Sequence, residues 1–150
     1  MKDKPPRNAA VMRFFNEIGI IEQLSRALFE ARLPDGLLVS HFGVLNHLTR
    51  VRDGQTPLRL ARAFQVPKTT MTHTLGGLEK RGYVRLAPNP EDGRSKCVWI
   101  TPEGAAFRQS AIESLSPLMM RMLDEFPPDE MAELLPKLAK LRAYLDETRD

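Results

Sequence analysis

Apolar residues recur at intervals of three and four over six segments of the chain, which is the spacing of a helix that buries one face. In the first segment, for example, Val11, Phe14, Phe15 and Ile18 fall on one stripe. The predicted helices cover 11–29, 40–52, 57–64, 67–81, 102–125 and 129–145.

Helix-starting and helix-ending residues separate these segments. Serine and threonine are preferred N-caps, and proline is pre-organised for the first helical position. The predicted starts are Ser40, Thr56–Pro57, Pro67 and Thr101–Pro102. Gly82 is a suitable C-terminal stop for the fourth helix. Pro117 and Pro136 lie inside the last two helices, where we expect kinks rather than breaks.

After Gly82 the period changes from helical to two. Residues 83–86 and 96–100 alternate between apolar and polar side chains, and the turn-rich stretch PNPEDGRS joins them, so they predict a hairpin with an exposed tip. The fold is therefore predicted to be mainly α, a winged helix-turn-helix between helical flanks. The candidate core residues are Leu45, Leu48, Leu60, Phe64, Met71, Leu75, Leu78, Val84, Leu86, Val98 and Ile100.

The apolar stripes of the outer helices exceed what this small core can cover. We expect residues 1–36 and 102–150 to pair with a second copy about a two-fold axis, and residues 37–101 to form a DNA-binding lobe. The alternative is an intramolecular packing of three helices. The predicted dimer contacts are Phe14, Ile18, Leu123, Leu134, Leu138, Leu141 and Leu145.

Composition is that of a soluble protein. The 150 residues are 42% hydrophobic and contain no apolar run near the ~20 residues that a membrane-spanning helix requires. The start MKDKPPRNAA lacks the apolar block of a secretion signal, and a lone Cys97 fits a reducing compartment. We expect a cytoplasmic protein with no membrane partner.

Positive charge is concentrated in the middle of the chain. Residues 50–101 contain ten Lys/Arg and four Asp/Glu, whereas residues 102–150 contain six and ten. A basic segment is weak evidence for a polyanionic partner, because uneven solvated charge is common. The spacing of the polar residues is stronger evidence about the partner than the charge.

The fourth helix offers hydrogen-bonding groups on its outer face. In a helix-turn-helix the second helix lies in the major groove, where lysine donates to guanine and threonine contacts bases or phosphates. The predicted base-side residues are Lys68, Thr69, Thr70, Thr72, His73 and Gly76. Gly76 and Gly77 cost this helix roughly 1.5–2 kcal/mol relative to alanine. They indicate either a close backbone approach or a locally loose helix.

The tip of the hairpin places Asp92 two residues before Arg94. The carboxylate either orients the guanidinium or neutralises it in solvent. On a DNA-bound wing Arg94 is long enough to enter the minor groove. The other residues predicted to serve the wing and the DNA backbone are Thr56, Arg85, Asp92, Ser95 and Lys96.

These residues carry a family resemblance. The stretch from TPLRLARAF to WITPEG resembles the helix-turn-helix and wing of MarR-type transcriptional regulators, most strongly in LEKRGYV, in the pair Asp92 and Arg94, and in TPEG. The resemblance implies a homodimeric regulator, usually a repressor, that binds a pseudo-palindromic operator. It also implies a small aromatic or anionic effector at a site that the sequence does not identify. His73 stands where the family often has arginine, so base preference should differ.

The sequence gives little support for a redox, metal-binding or catalytic site. Cys97 is expected to be partly exposed, because its strand phase opposes that of Val98, but it has no adjacent base. His41 and His47 do not share a helical face, so we expect no metal site. His41 is interpreted as polar packing or as a contact for an anionic effector. We expect no cofactor and no enzymatic activity, since no catalytic motif is present.

The sequence thus predicts a sequence-specific DNA-binding regulator with double-stranded operator DNA and a second copy of itself as partners. Two alternatives stay open: a winged-helix module that binds protein without an operator, and a thiol-based sensor that acts through Cys97.

Overall fold

Six helices and one hairpin follow one another in the predicted order along the described residues, 6–34 and 36–149 of this computed structural model. Residues 1–5 of the MKDKPPRNAA start lie outside them. The elements are α1 (Arg7–Glu30), α2 (Val39–Arg50), α3 (Pro57–Phe64), α4 (Lys68–Lys80), β1 (Val84–Pro88), β2 (Lys96–Ile100), α5 (Pro102–Glu125) and α6 (Pro128–Glu147). The prediction of a mainly α-helical chain with one small hairpin is confirmed.

The chain divides into two compact units, Met1–Glu113 and Ser114–Asp150. The first contains α1 to α4, the hairpin and the start of α5. The second contains the rest of α5 and all of α6. The division predicted from the sequence, with a DNA-binding lobe over 37–101, stays a prediction.

One hydrophobic core holds the first unit together. Leu45, Leu60, Leu78 and Val98 are completely buried at its centre. The cluster consists of Val44, Leu45, Leu48, Leu60, Ala61, Met71, Leu75, Leu78, Val84 and Val98, with Phe64, Leu86 and Ile100 packed against it. All the candidate core residues therefore lie in the core or at its edge, so that prediction is confirmed. Helices α2, α3 and α4 and the hairpin each contribute one apolar face.

A backbone hydrogen bond attaches the hairpin to the segment before α3. An isolated two-stranded hairpin is marginally stable in water. Here β1 and β2 pair antiparallel from Val84 opposite Ile100 to Pro88 opposite Lys96. The Val98 N–H donates to the Gln55 carbonyl at 2.8 Å. Gln55 thereby forms a single antiparallel bridge with β2, which supports the hairpin.

The predicted starts of α2, α4 and α6 each differ from the structure by one residue, and that of α1 by four. Helix α2 begins at Val39, so Ser40 lies inside it and is not its N-cap. The helix starts earlier because other side chains accept the N–H groups of Leu38 and Val39. Pro67 is the N-cap of α4 rather than its first helical residue. Thr56 and Pro57 start α3 as predicted.

The outer helices are continuous. Helices α5 and α6 pass through Pro117 and Pro136, which confirms that neither proline ends its helix, while the kinks stay a prediction. No residue of α1 or α6 is buried. Within the described residues, no helix combines the length and the apolar character needed to cross a membrane.

Helix α5 begins in close contact with the hairpin. The Thr101 Oγ1 accepts a hydrogen bond from the Gly104 N–H at 3.0 Å, and the Thr101 N–H donates to the Tyr83 carbonyl at the same distance. Gly104 is buried, and a Cβ there would run into the Tyr83 carbonyl oxygen. Only glycine fits this position without a backbone shift.

We expect Gly104→Ala to lower the free energy of unfolding by about 1–3 kcal/mol, because the added methyl group overpacks this contact. Urea unfolding followed by circular dichroism measures it. The matched control is Gly76→Ala, since Gly76 is exposed in mid-helix with nothing near its Cβ position. That change should raise the free energy of unfolding by about 0.5–1 kcal/mol. Shifts of the same sign in both variants would contradict the packing described here.

Candidate nucleic-acid interface

Helix α4 has one buried face and one exposed face. Met71, Leu75 and Leu78 anchor it in the core. The predicted base-side residues all lie on the exposed surface: Lys68, Thr69, Thr70, Thr72, His73 and Gly76. The structure therefore brings these residues together on one helix, where they are accessible to a partner.

Thr72 and Thr74 of α4 differ in their exposure to solvent. Thr72 is exposed, and its Oγ1 donates to the Lys68 carbonyl at 2.9 Å, which leaves its lone pairs and its methyl group for a partner. Thr74 is buried, and its Oγ1 donates to the Thr70 carbonyl at 3.1 Å. Sequence reasoning did not assign Thr74 to the core, although its spacing from Met71 and Leu78 places it on the same face.

The N-terminus of α4 is open to an anion. Gln65 adopts a left-handed conformation with φ of 54°, and its side chain donates to the Arg62 carbonyl, so the turn from α3 to α4 is tight. Pro67 caps α4 without a side-chain hydrogen bond. The N–H groups of the first turn have no partner within the helix. Together with the helix dipole they favour a phosphate at this end.

Thr56 has a structural role at the start of α3. Its Oγ1 accepts a hydrogen bond from the Arg59 N–H at 3.3 Å, so it is the N-cap of that helix. The predicted contact of Thr56 with the DNA backbone stays a prediction. Because the Thr56 hydroxyl accepts this hydrogen bond, its position at the start of α3 is fixed.

The tip of the wing is closed by its own hydrogen bonds. The Asn89 N–H donates to the Ser95 carbonyl, and the Asn89 Nδ2 donates to the Ser95 Oγ at 3.0 Å. The Asp92 carbonyl accepts from both the N–H and the Oγ of Ser95. The tip is therefore an ordered turn, and the Ser95 hydroxyl serves it.

Asp92 neither orients nor neutralises the Arg94 guanidinium. Its Oδ1 accepts a hydrogen bond from the Arg94 backbone N–H at 3.0 Å. Across residues 6–34 and 36–149 no ion pair involves the Arg94 side chain. The short side chain of Asp92 closes the turn instead, and the exposed Arg94 guanidinium is left available to a ligand.

The two strands of the wing present their cations differently. The Arg85 guanidinium lies 5.7 Å from the centroid of the Trp99 ring, directly across the hairpin. This cation–π contact holds Arg85 against the sheet. Lys96 is exposed at the start of β2. Of these two cations, Arg85 is the one held by a contact with an aromatic ring.

Residues 53–55 anchor the wing and were missed by sequence reasoning. The Asp53 Oδ1 accepts hydrogen bonds from the N–H groups of Gly54 and Ile100, at 2.9 and 3.0 Å. Gly54 packs on Trp99, where a Cβ would come within 2.5 Å of the ring. The only available signal was the turn-forming pair Asp53–Gly54, and it does not identify a partner far along the chain.

The expectation that Cys97 is partly exposed is wrong. Its exposed fraction is 6%. Trp99 and the segment from Arg52 to Thr56 cover this face of the sheet, around a cleft of about 300 Å³ whose lining includes Cys97. A second layer over the hairpin therefore buries a residue that the strand period assigned to solvent.

His41 joins the start of α2 to α4. Its Nδ1 accepts a hydrogen bond from the Leu38 N–H at 2.9 Å. A Cβ at Gly77 would lie 2.9 Å from its Nε2, so Gly77 marks a close backbone approach. Burial, helped by the nearby positive charge of Arg81 and by His73, lowers the pKa of His41. The folded protein thus favours the neutral ring. The stability of the fold therefore decreases as the pH falls below about 6.5, because the unfolded chain binds the proton more readily than the folded one.

The remaining histidine is also structural. His47 stacks edge-on against Phe64, with ring centroids 5.5 Å apart, and its buried Nε2 has no hydrogen-bond partner among the described residues. Among all the described residues, no group of three His, Cys, Asp or Glu side chains could hold a metal ion.

The predicted dimer contacts leave apolar surface uncovered. Phe14, Leu134, Leu138 and Leu145 are between 43 and 48% exposed. Ile18, Leu123 and Leu141 are half-buried. On α1 and, separately, on α6, these side chains form apolar surface that the described residues leave uncovered.

Comparisons with known proteins agree with this geometry. Residues 35–95 match the model of the MarR family. The chain is 27% identical to the transcriptional regulator BldR from Sulfolobus solfataricus, with a TM-score of 0.79 over 93% of this chain and 99% of that one. It is 25% identical to a cysteine-to-serine mutant of MarR from Escherichia coli complexed with operator DNA, with a TM-score of 0.76 over 91% and 98%.

A more distant structure shares the fold alone. The transcriptional regulator PcaV from Streptomyces coelicolor, in complex with its natural ligand, is 17% identical, with a TM-score of 0.69 over 84% of this chain and 89% of that one. The winged-helix fold predicted from the sequence is confirmed by these likenesses.

Proposed function

The chain belongs to the MarR family of transcriptional regulators, and we propose that it acts as a homodimeric repressor of a pseudo-palindromic operator. The family and the fold are those of regulators and not of enzymes, as the sequence predicted. The proposal concerns how this chain recognises DNA, how it dimerises and how it is released.

The exposed N-terminal half of α4 carries the proposal. Lys68 supplies a charged donor, Thr72 supplies acceptor lone pairs and a methyl group, and the open helix end attracts phosphate. The buried face of α4 fixes these groups on a rigid element. A similar regulator from Escherichia coli was crystallised with operator DNA, which supports the same use of this lobe here.

The wing supplies the second contact. Arg94 is exposed on a turn that is closed by Asp92, and among the described residues no carboxylate pairs with its guanidinium. An arginine presented in this way is attracted by the deep negative potential of a narrow, A·T-rich minor groove. Lys96 and Arg85 would contact the adjacent backbone.

Selection of bound duplexes from a random pool tests the operator directly. A two-fold dimer places its recognition helices in major grooves one helical turn apart, roughly 34–36 Å. We expect two inverted half-sites with that separation between their centres. A pool that enriches no symmetric motif would contradict the proposal and favour a protein-binding module.

Replacement of Arg94 by alanine tests the wing. We expect Arg94→Ala to weaken binding to the selected duplex, most strongly where the flanks are A·T-rich, and to reduce the salt dependence by about 0.9 logarithmic units per decade if one phosphate contact goes with it. Fluorescence anisotropy over a series of salt concentrations measures both quantities. Arg142→Ala on α6 removes the same charge outside the lobe and should change neither. An unaltered affinity and slope in Arg94→Ala would rule out the wing contact.

Dimerisation rests on the apolar faces of the outer helices. Leu134 and Leu138 lie one turn apart on α6, and Phe14 lies on α1; all three are more than 40% exposed. Exposed side chains of this size on neighbouring turns mark an interaction surface. A second copy covers them with the same residues about a two-fold axis.

We expect Leu138→Glu to convert the dimer to a monomer, since it buries an unpaired carboxylate in an apolar interface. Sedimentation velocity at micromolar concentration measures the change. The neighbouring substitution Lys137→Glu introduces the same carboxylate one position away and should leave the dimer intact. A wild-type chain that sediments as a monomer would contradict the proposal.

The effector is proposed to be a small aromatic or anionic molecule. The fold is shared with a regulator that was crystallised with its natural ligand. A ligand releases DNA only if it binds the free conformation of the dimer more tightly than the DNA-bound conformation. Displacement of the selected duplex by a panel of aromatic carboxylates would identify the chemical class.

A further inference from the structure

His41 replaces the usual side chain of a helix N-terminus. In α2 it occupies the third helical position after the N-cap Leu38, where glutamate or glutamine commonly accepts the N-cap N–H. The His41 Nδ1 takes that role at 2.9 Å. The Glu30 Oε1, at the end of α1, accepts the next N–H, that of Val39, at 3.0 Å. The start of α2 thus depends on two side-chain acceptors, of which one is an imidazole.

The same ring lies between α2 and α4. Its Nε2 lies where α4 has no side chain, beside Gly77. His73 is one turn before Gly77 on α4, and both border a cleft of about 550 Å³ with His41 and Thr72. The imidazole therefore fills the space between the helix that it caps and the helix that carries the predicted base contacts.

The charges around His41 oppose its protonation. Helix α4 presents His73 and Lys80 at the cleft, with Arg81 close by, and the described residues that line the cleft include no carboxylate. From α1, Glu30 is bound to the Val39 N–H. A proton on Nδ1 would remove the acceptor of the Leu38 N–H and would add a cation beside other cations.

We propose that neutral His41 is a positioning residue for α4, and that its protonation lowers the affinity of the protein for operator DNA. The inference rests on the proposed function, because it requires α4 to contact DNA. Protonation removes the cap of α2 and repels the cationic end of α4, so the recognition helix loses its fixed distance from α2. Affinity would then decrease as the pH falls, opposite to the gain expected from an added cation near phosphate.

The test compares the pH dependence of the wild-type protein with that of His41→Gln. Glutamine keeps an acceptor for the Leu38 N–H but does not titrate. Anisotropy with the selected duplex at pH 7.5 and pH 5.5 gives the ratio of dissociation constants for each protein. His47 and His73 are present in both proteins, so the difference between the two ratios isolates His41. Circular dichroism and sedimentation at both pH values establish that fold and dimer persist.

We expect the wild-type affinity to fall roughly three- to tenfold more than that of His41→Gln, within the tenfold per pH unit that one proton allows. Equal ratios, or a wild-type protein that gains affinity in acid, would overturn the inference alone. Absence of sequence-selective binding at pH 7.5 would overturn the proposed function and the inference with it.

A double-substitution cycle tests the steric part independently of pH. Gly77→Ala places a methyl group against the imidazole and should weaken DNA binding several-fold at pH 7.5. In the His41→Ala background the space is vacant, so the added Gly77→Ala should change the affinity by less than about twofold. Equal losses in both backgrounds would show that the imidazole does not set the position of α4.

Discussion

Burial of one face of α4 is the constraint on which the rest of the lobe depends. Met71, Leu75 and Leu78 enter a core that three short helices and a hairpin must share. Because these three side chains lie on one face of α4, their burial fixes the rotation of the helix about its own axis. The exposed threonines and Lys68 then face outward as a direct result of core packing. The buried face of α4 therefore stabilises the lobe, and the opposite face carries the residues proposed to contact DNA.

The periodic features of this fold were predictable from the sequence. The helical spacing, the change to a period of two after Gly82 and the threonine–proline starts identify each element to within a few residues, because they report local backbone geometry. The polar face of α4 follows from the same period. The sequence shows that Asp92 lies two residues before Arg94. It does not show whether the carboxylate binds the backbone N–H or pairs with the guanidinium, because both contacts fit this spacing.

The contacts that cross between elements were not predictable. Asp53 binds an N–H at Ile100, and His41 approaches Gly77, yet neither pair has a spacing that a local rule detects. Cys97 shows the same limit. Strand alternation assumes one solvated face, whereas the segment before α3 covers the face of β2 that carries Cys97, and the core covers the other face. Burial of such positions depends on a second layer, which only the three-dimensional arrangement reveals.

The hydrogen bonds that close residues 89–95 have a thermodynamic consequence for recognition. A loop that orders only on contact loses backbone entropy at that moment, about 1–2 kcal/mol for each residue that becomes fixed. The tip of this wing is already ordered by Asn89, Asp92 and Ser95. In the proposed complex, binding then restricts little beyond the torsions of the Arg94 side chain. Discrimination between duplexes can accordingly follow groove width, with little masking by the cost of folding a loop.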